Sequence, residues 1–269
     1  MKLGIISNWN EAAFKYAAEK KFDFLEFCVN HDCIADEFAA LTDNLIKWSK
    51  ESGVSVGSIG RWGETRINAD GTVNENGRKS DLTLIEAASK IGCPVYNCGV
   101  NYIESKSYDE NIGIAVAYLT ELVKFGKEKG VKIALYNCSW NSFVVEPKAW
   151  EKIMPRVDGL GIKYDLSHAF DRKSDYLAEL RDWGKYVYHF HVKGILDIDG
   201  KVYDNPPAGL DLVPWGAVIN MLYANKYTGG LSLEPYSRYW RGKRGDWGID
   251  FTIKHLKQFL MPNELDELD

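Results

Sequence analysis

The sequence predicts an α/β fold, a single (β/α)8 TIM barrel spanning residues 1–269. Three observations predict it. Short runs rich in β-branched and aromatic residues alternate with longer helical patterns, and the alternation repeats eight times along the chain. The length, 269 residues, is one at which an α/β barrel runs as one unit. A composition of 45% hydrophobic and 26% charged residues supplies a large core. A doubly wound open sheet uses the same alternation and is the competing arrangement. No low-complexity stretch or linker interrupts the pattern.

The first strand is KLGIIS (2–7), followed by a helix over about 11–20. FDFLEFC (22–28) is the second strand, with a helix over 36–52. VSVGSI (54–59) is the third, followed by a polar loop and a helix over 75–91. The fourth, PVYNCG (94–99), precedes a long helix over 109–129 that Gly130 closes, as glycine does at helix C-termini. VKIALYN (131–137) is the fifth, and Pro147 suits the first turn of the short helix after it. GIKYDL (161–166) is the sixth, with a helix around 174–183. YVYHFHV (186–192) is the seventh, followed by a long Gly/Pro/Asp loop and a helix over 214–225. GGLSLEP (229–235) is the eighth, and a helix over 246–260 ends the pattern.

A formal net charge of -5 argues against a polyanion partner, because sustained phosphate contact needs clustered Lys and Arg. The opening MKLGIISNWN is too short an apolar run for a signal peptide, and no stretch approaches the ~18 apolar residues of a membrane span. A soluble, cytoplasmic protein without nucleic-acid or membrane partners is expected. Cys28, Cys33, Cys93, Cys98 and Cys138 form an odd set with no CxxC, which favours reduced thiols.

In a barrel of this kind the catalytic groups come from the C-terminal ends of the strands and the loops after them. The sixth strand ends in KYDLSHAF, giving Asp165 and His168. The seventh ends in HFHVK, giving His191 and Lys193, with His189 one pleat lower on the same face. The eighth ends in LSLEPY, giving Glu234. Asp, His and Glu together suit Mn²⁺, Mg²⁺, Co²⁺ or Zn²⁺. Each has a structural alternative: Asp165 as a loop cap, Glu234 paired with Arg238, His168 as a satisfied loop histidine, and His189 as a core histidine. Three on consecutive strand ends carry more weight than any one.

These segments resemble the xylose isomerase-like barrels, which include sugar phosphate isomerases/epimerases, ketose 3-epimerases and inosose dehydratases. The likeness runs from KLGIIS through AASKIGCPVY to the final helix. GIKYDLSHAF resembles the family's D-x-x-H segment, HFHVKG its H-x-H-x-K-D, GLDLVPW its G-x-D-x-x-x-W, and LSLEPY its last-strand glutamate. The resemblance implies a divalent metal held by a strand-five glutamate, the aspartate of D-x-x-H, a strand-seven histidine and the strand-eight glutamate. The last three fall on Asp165, His191 and Glu234, and His168 is implied as a contact to substrate oxygens. The implied chemistry is proton transfer next to a carbonyl in a carbohydrate substrate, the metal polarising the carbonyl while glutamates shuttle the proton. Homo-oligomers are also common among such barrels.

Two departures qualify this expectation. The strand-five segment, expected to read like A-x-E-N-H, reads ALYNC, with Tyr136 in place of the glutamate and Cys138 in place of a histidine; Asn137 keeps the asparagine and is assigned to substrate binding. Gly194 stands where the seventh-strand motif continues with Asp. A phenol with an ordinary pKa of about 10 is a poor ligand and a poor base at pH 7. Three ligands with an open position still hold a catalytic metal, but affinity should be weakened or lost. Glu234 as the remaining base, with Tyr136, Lys193 or His168 as acid, suits an isomerisation or a β-elimination of dehydratase or lyase type. The competing expectation is a catalytically silent or metal-free carbohydrate-binding member, or an enzyme subunit. A DNA-cleaving relative fails on charge and on the residues a trinuclear metal cluster needs. Trp9, Trp62, Trp140, Tyr236 and Trp240 fall in loops after strands, where rings stack on sugars or pack the rim. Arg61 and Arg238, with Arg241, Lys243 and Arg244, either grip a carboxylate or phosphate or form a solvated basic face.

Overall fold

A computed structural model of the protein describes residues 1–262, so residues 263–269 of the expected domain lie outside the described residues. In chain order the elements are β1 (Lys2–Ser7), α1 (Glu11–Glu19), β2 (Phe24–Cys28), α2 (Ala35–Ala40), α3 (Thr42–Ser52), β3 (Ser55–Gly60), α4 (Glu75–Ile91), β4 (Val95–Cys98) and α5 (Tyr108–Lys129). They continue with β5 (Lys132–Tyr136), α6 (Pro147–Ile153), β6 (Leu160–Asp165), α7 (Leu166–Asp171), α8 (Tyr176–Trp183), β7 (Val187–Val192), β8 (Leu196–Ile198), β9 (Lys201–Asp204), α9 (Trp215–Ala224), β10 (Gly230–Leu233) and α10 (Gly242–Lys257).

Eight of these strands close into a parallel barrel in the order β1-β10-β7-β6-β5-β4-β3-β2, with β2 pairing back onto β1. Helices connect consecutive strands, so the fold is a (β/α)8 barrel and the open-sheet alternative does not apply. Local chemistry sets the element ends. Ser107 and Glu110 form a reciprocal capping box that starts α5, and Gly130 ends it in the left-handed conformation at φ 72°. The expected helix over 36–52 is two helices with a break at Leu41.

The segment read as a long loop after the seventh strand contains the antiparallel hairpin β8–β9. Its turn residues, Asp199 (φ 54°) and Gly200 (φ 74°), are an Asp-Gly pair of the kind that closes tight hairpins. The chain alternates there over too few residues to outweigh its Gly and Pro neighbours. Inside the barrel, Phe24 closes the N-terminal end. A Cβ at Gly4, Gly57 or Gly230 would overlap its ring, so these glycines make the space it fills. Above that apolar floor the interior turns polar.

Candidate active site

Strand register builds the polar layer. Asp165 pairs with His191 across β6 and β7, and His191 with Ser232 across β7 and β10. Side chains alternate along a strand, so Lys163 and Asp165 on β6, His189 and His191 on β7, and Glu234 just past β10 all face inward. His191 Nδ1 lies 3.0 Å from Glu234 Oε2 and 3.7 Å from Asp165 Oδ2. Among the described residues, the three form one of two groups of potential metal-ligand atoms lying within 4.8 Å of one another.

The other side of His191 is fixed by a residue the sequence reading did not single out. Glu26, fully buried on β2, receives His191 Nε2 at 2.9 Å and His189 Nε2 at 2.7 Å. The signal was the carboxylate inside the otherwise apolar run FLEFC. A carboxylate on one imidazole nitrogen orients the ring and fixes which nitrogen faces the site. Glu26 aims Nδ1 of His191 at Asp165 and Glu234. Burial disfavours both charges of this pair, yet each supports the other: the two histidines hold the Glu26 carboxyl well below its usual range, and Glu26 raises the His191 pKa to about 10. His189 moves the other way, lowered by burial. In the metal-free protein at neutral pH, His191 is therefore an imidazolium between two carboxylates.

Asp165 is held from two sides. Its backbone is clasped by the Asn137 amide, which donates to Asp165 O at 2.8 Å and accepts from Asp165 N at 3.0 Å. Its Oδ1 accepts from Ser167 N and Oγ at the start of α7. Its Oδ2 is buried with no hydrogen-bond partner among the described residues. Burial opposes ionisation, but His168, His191, Lys163 and Lys193 hold the carboxyl well below its usual range. A buried, ionised oxygen without a donor, facing an imidazole and a second carboxylate, is where a cation fits. The donor set of two carboxylates and one imidazole is of the right chemistry for a borderline divalent ion.

Lys193 Nζ lies 3.3 Å from Glu234 Oε1 and 3.9 Å from the centroid of the Tyr236 ring. Against the burial that raises it, the bond from His191 lowers the Glu234 pKa, so Glu234 is ionised. His168 Nε2 is 3.6 Å from Asp165 Oδ2, and burial lowers its pKa, leaving a neutral imidazole at the edge of the site.

The remaining expected site residues are engaged elsewhere. Tyr136 is fully buried, stacks on Trp62 at 5.4 Å and donates its hydroxyl to the Trp140 carbonyl; burial raises its pKa. Arg61 is buried and staples two loops, binding Glu64 and the carbonyls of Val29, Asn30 and Cys33. Both polar atoms of Asn137 are spent on Asp165. Trp9 packs edge-on against Phe38, Trp140 against His31, and exposed Arg238 lies over the rings of Tyr239 and Tyr203. Cys28 and Cys138 flank the site with thiol pKa values raised by burial, which makes them weak ligands and nucleophiles. The five cysteines are free.

The absence of an aspartate at position 194 has a steric cause. A Cβ on Gly194 would overlap the Pro206 carbonyl oxygen, because the chain after the β8–β9 hairpin packs onto that backbone. Asn205 Nδ2 donates to Gly194 O at 2.8 Å, and Asp211 of GLDLVPW accepts from Ile195 N, Gly209 N and Trp215 Nε1.

Residues 14–258 match the sequence profile of xylose isomerase-like TIM barrels. The chain belongs to that family. No curated protein matches it in sequence. Among solved structures, it is similar to a D-psicose 3-epimerase with D-tagatose from Clostridium cellulolyticum H10, at 16% identity and a TM-score of 0.76, covering 97% of this chain and 100% of that one. It is similar to an apo 3-keto-D-glucoside 4-epimerase from E. coli, at 16% identity and a TM-score of 0.74, covering 96% and 99%. It is also similar to a D-tagatose 3-epimerase-like protein, at 20% identity and a TM-score of 0.74, covering 96% and 98%. At these identities the likeness is one of fold.

Proposed function

We propose that the protein is a sugar isomerase- or epimerase-type enzyme that moves a proton next to a carbonyl, with Asp165, His191 and Glu234 holding a divalent cation. The observation that carries this reading is the convergence of those three side chains around Asp165 Oδ2, which has no hydrogen-bond partner among the described residues. The sugar epimerases among its structural neighbours support it. When bound, the cation supplies Lewis-acid polarisation of a carbonyl and the hydroxyl beside it.

This chain's own residues supply the rest. Glu234 keeps about a fifth of its side chain exposed (20%), against 0% for Asp165 and 2% for His191, so it is the carboxylate a substrate reaches first and the base that receives the proton. Lys193, on the other Glu234 oxygen, holds that carboxylate in place and offers a proton to a substrate oxygen. Neutral His168 accepts or donates a hydrogen bond at a neighbouring hydroxyl. With Tyr136 buried against Trp62, a second carboxylate base on the strand-five side is missing, which suits one-base isomerisation or elimination better than a two-glutamate epimerisation.

The same feature favours a second reading, a silent carbohydrate-binding member. Thermal unfolding with and without Mn²⁺ separates the two. A ligand that binds only the folded state raises stability, so Mn²⁺ should raise the melting temperature of the wild type but not of Asp165→Asn or Glu234→Gln. An unshifted wild type would sink the proposal and leave the silent reading.

A further inference from the structure

Lys163 is a buried, inward-facing charged group that the proposed chemistry does not use. It lies on β6 two residues before Asp165, is only 2% exposed, and sits in register beside Tyr136 on β5 and His189 on β7. Its Nζ is 5.7 Å from the centroid of the Trp62 ring, which itself stacks on Tyr136 at the C-terminal end of the barrel. The side chain therefore rises toward the site rather than toward the floor formed by Phe24. Its charge is also felt at Asp165 and Cys138, both at the mouth.

The other charges of the site are matched: Glu26 with His189 and His191, Asp165 and Glu234 with His191, and Lys193 with Glu234. Lys163 enters no ion pair among the described residues. Tyr136, its β5 neighbour, occupies the position where a carboxylate could have met it. A ring face compensates a buried ammonium only in part, and a buried charge without an ion-pair partner is costly.

We infer that Lys163 is a specificity residue that receives a carboxylate of the substrate, so that the enzyme acts on an acidic sugar derivative, an aldonate- or uronate-type molecule, rather than a neutral sugar. The inference rests on the proposed function and names its substrate class. One point charge beside the Asp165 carboxylate matches a single negative charge, so a carboxylate suits the position better than a phosphate dianion.

The test is calorimetric titration of the Mn²⁺-loaded protein with D-gluconate, with D-glucitol, which differs by a hydroxymethyl group in place of the carboxylate, and with D-glucitol 6-phosphate. A charge-assisted contact predicts that the wild type binds gluconate about tenfold or more tighter than glucitol. Lys163→Met should bring the two within about twofold while keeping glucitol binding. Tyr136→Glu, which offers Lys163 an internal carboxylate, should erase the preference with the lysine still present. Equal binding by the wild type, a preference that survives either substitution, or tighter binding of the phosphate ester overturns the inference. If Mn²⁺ binds and neither gluconate nor glucitol does, both the inference and the sugar reading fall. If Mn²⁺ fails to raise stability, the proposed function falls alone, and the gluconate preference measured without metal decides the role of Lys163.

Discussion

Glu26 governs the site from beneath. Its two oxygens collect Nε2 of both buried histidines, and its charge is what keeps His191 protonated. The sign of the resulting pH dependence follows from the folded pKa of about 10 lying above the ordinary 6.5. The stabilisation is fully present below about pH 6.5 and is lost as pH rises through about 10. The metal-free protein should therefore show a urea midpoint that falls steadily between those values. Glu26→Gln removes the partner of a buried charge, which costs on the order of 3–5 kcal/mol. It should lower the neutral-pH midpoint and remove most of the alkaline decline. A variant that keeps the wild-type pH profile would show that Glu26 does not set the His191 charge. Asn137 acts at the same scale through the backbone: Asn137→Ala removes one hydrogen bond from Asp165 N and one from Asp165 O and should destabilise by about 1–3 kcal/mol. Its Mn²⁺-induced shift should be smaller than the wild type's, because the Asp165 carboxylate is no longer held.

At the scale of elements, the strand ends were legible and their neighbours were not. Asp165, His191 and Glu234 each follow an apolar run and precede a turn, so their inward direction could be read from alternation alone. Glu26 and Lys163 also alternate inward, but each lies within its strand rather than at its end. Only register with other strands shows what such a charge meets, and register is a tertiary property. In sequence Arg61 reads as a loop cation; its guanidinium is absorbed by carbonyls from the loop after β2, a contact no local pattern encodes. The buried Arg66–Asp81 pair, bonded by the hydroxyls of Tyr96 and Tyr118, was invisible for the same reason. The hairpin β8–β9 explains the glycine at 194, where any side chain would strike the Pro206 carbonyl. Gly194→Asp should therefore destabilise by about 1–3 kcal/mol through overpacking, read as a lower melting temperature. An unchanged melting temperature would mean that the segment after the hairpin moves aside freely.

Taken as one molecule, the barrel brings a polar layer of both signs to its C-terminal end and balances it without an ion. Glu26, Asp165 and Glu234 face His191 in its protonated form, Lys163 and Lys193. This balance makes cation binding an exchange. His191 Nδ1 carries a proton at neutral pH and must release it to become a ligand. The apparent Mn²⁺ affinity should then rise about tenfold per pH unit from neutrality toward the His191 pKa, since each unit lowers the competing proton activity tenfold. Titrations at pH 7 in buffers of different ionisation enthalpy should report about one proton released per ion bound. An Asp or Glu ligand would not produce this signature, because Asp165 and Glu234 are already ionised. A pH-independent affinity with no proton release would mean that the ion avoids Nδ1 of His191, and the arrangement of imidazole between two carboxylates would then be a hydrogen-bonded ion triad that stabilises the barrel rather than a metal centre.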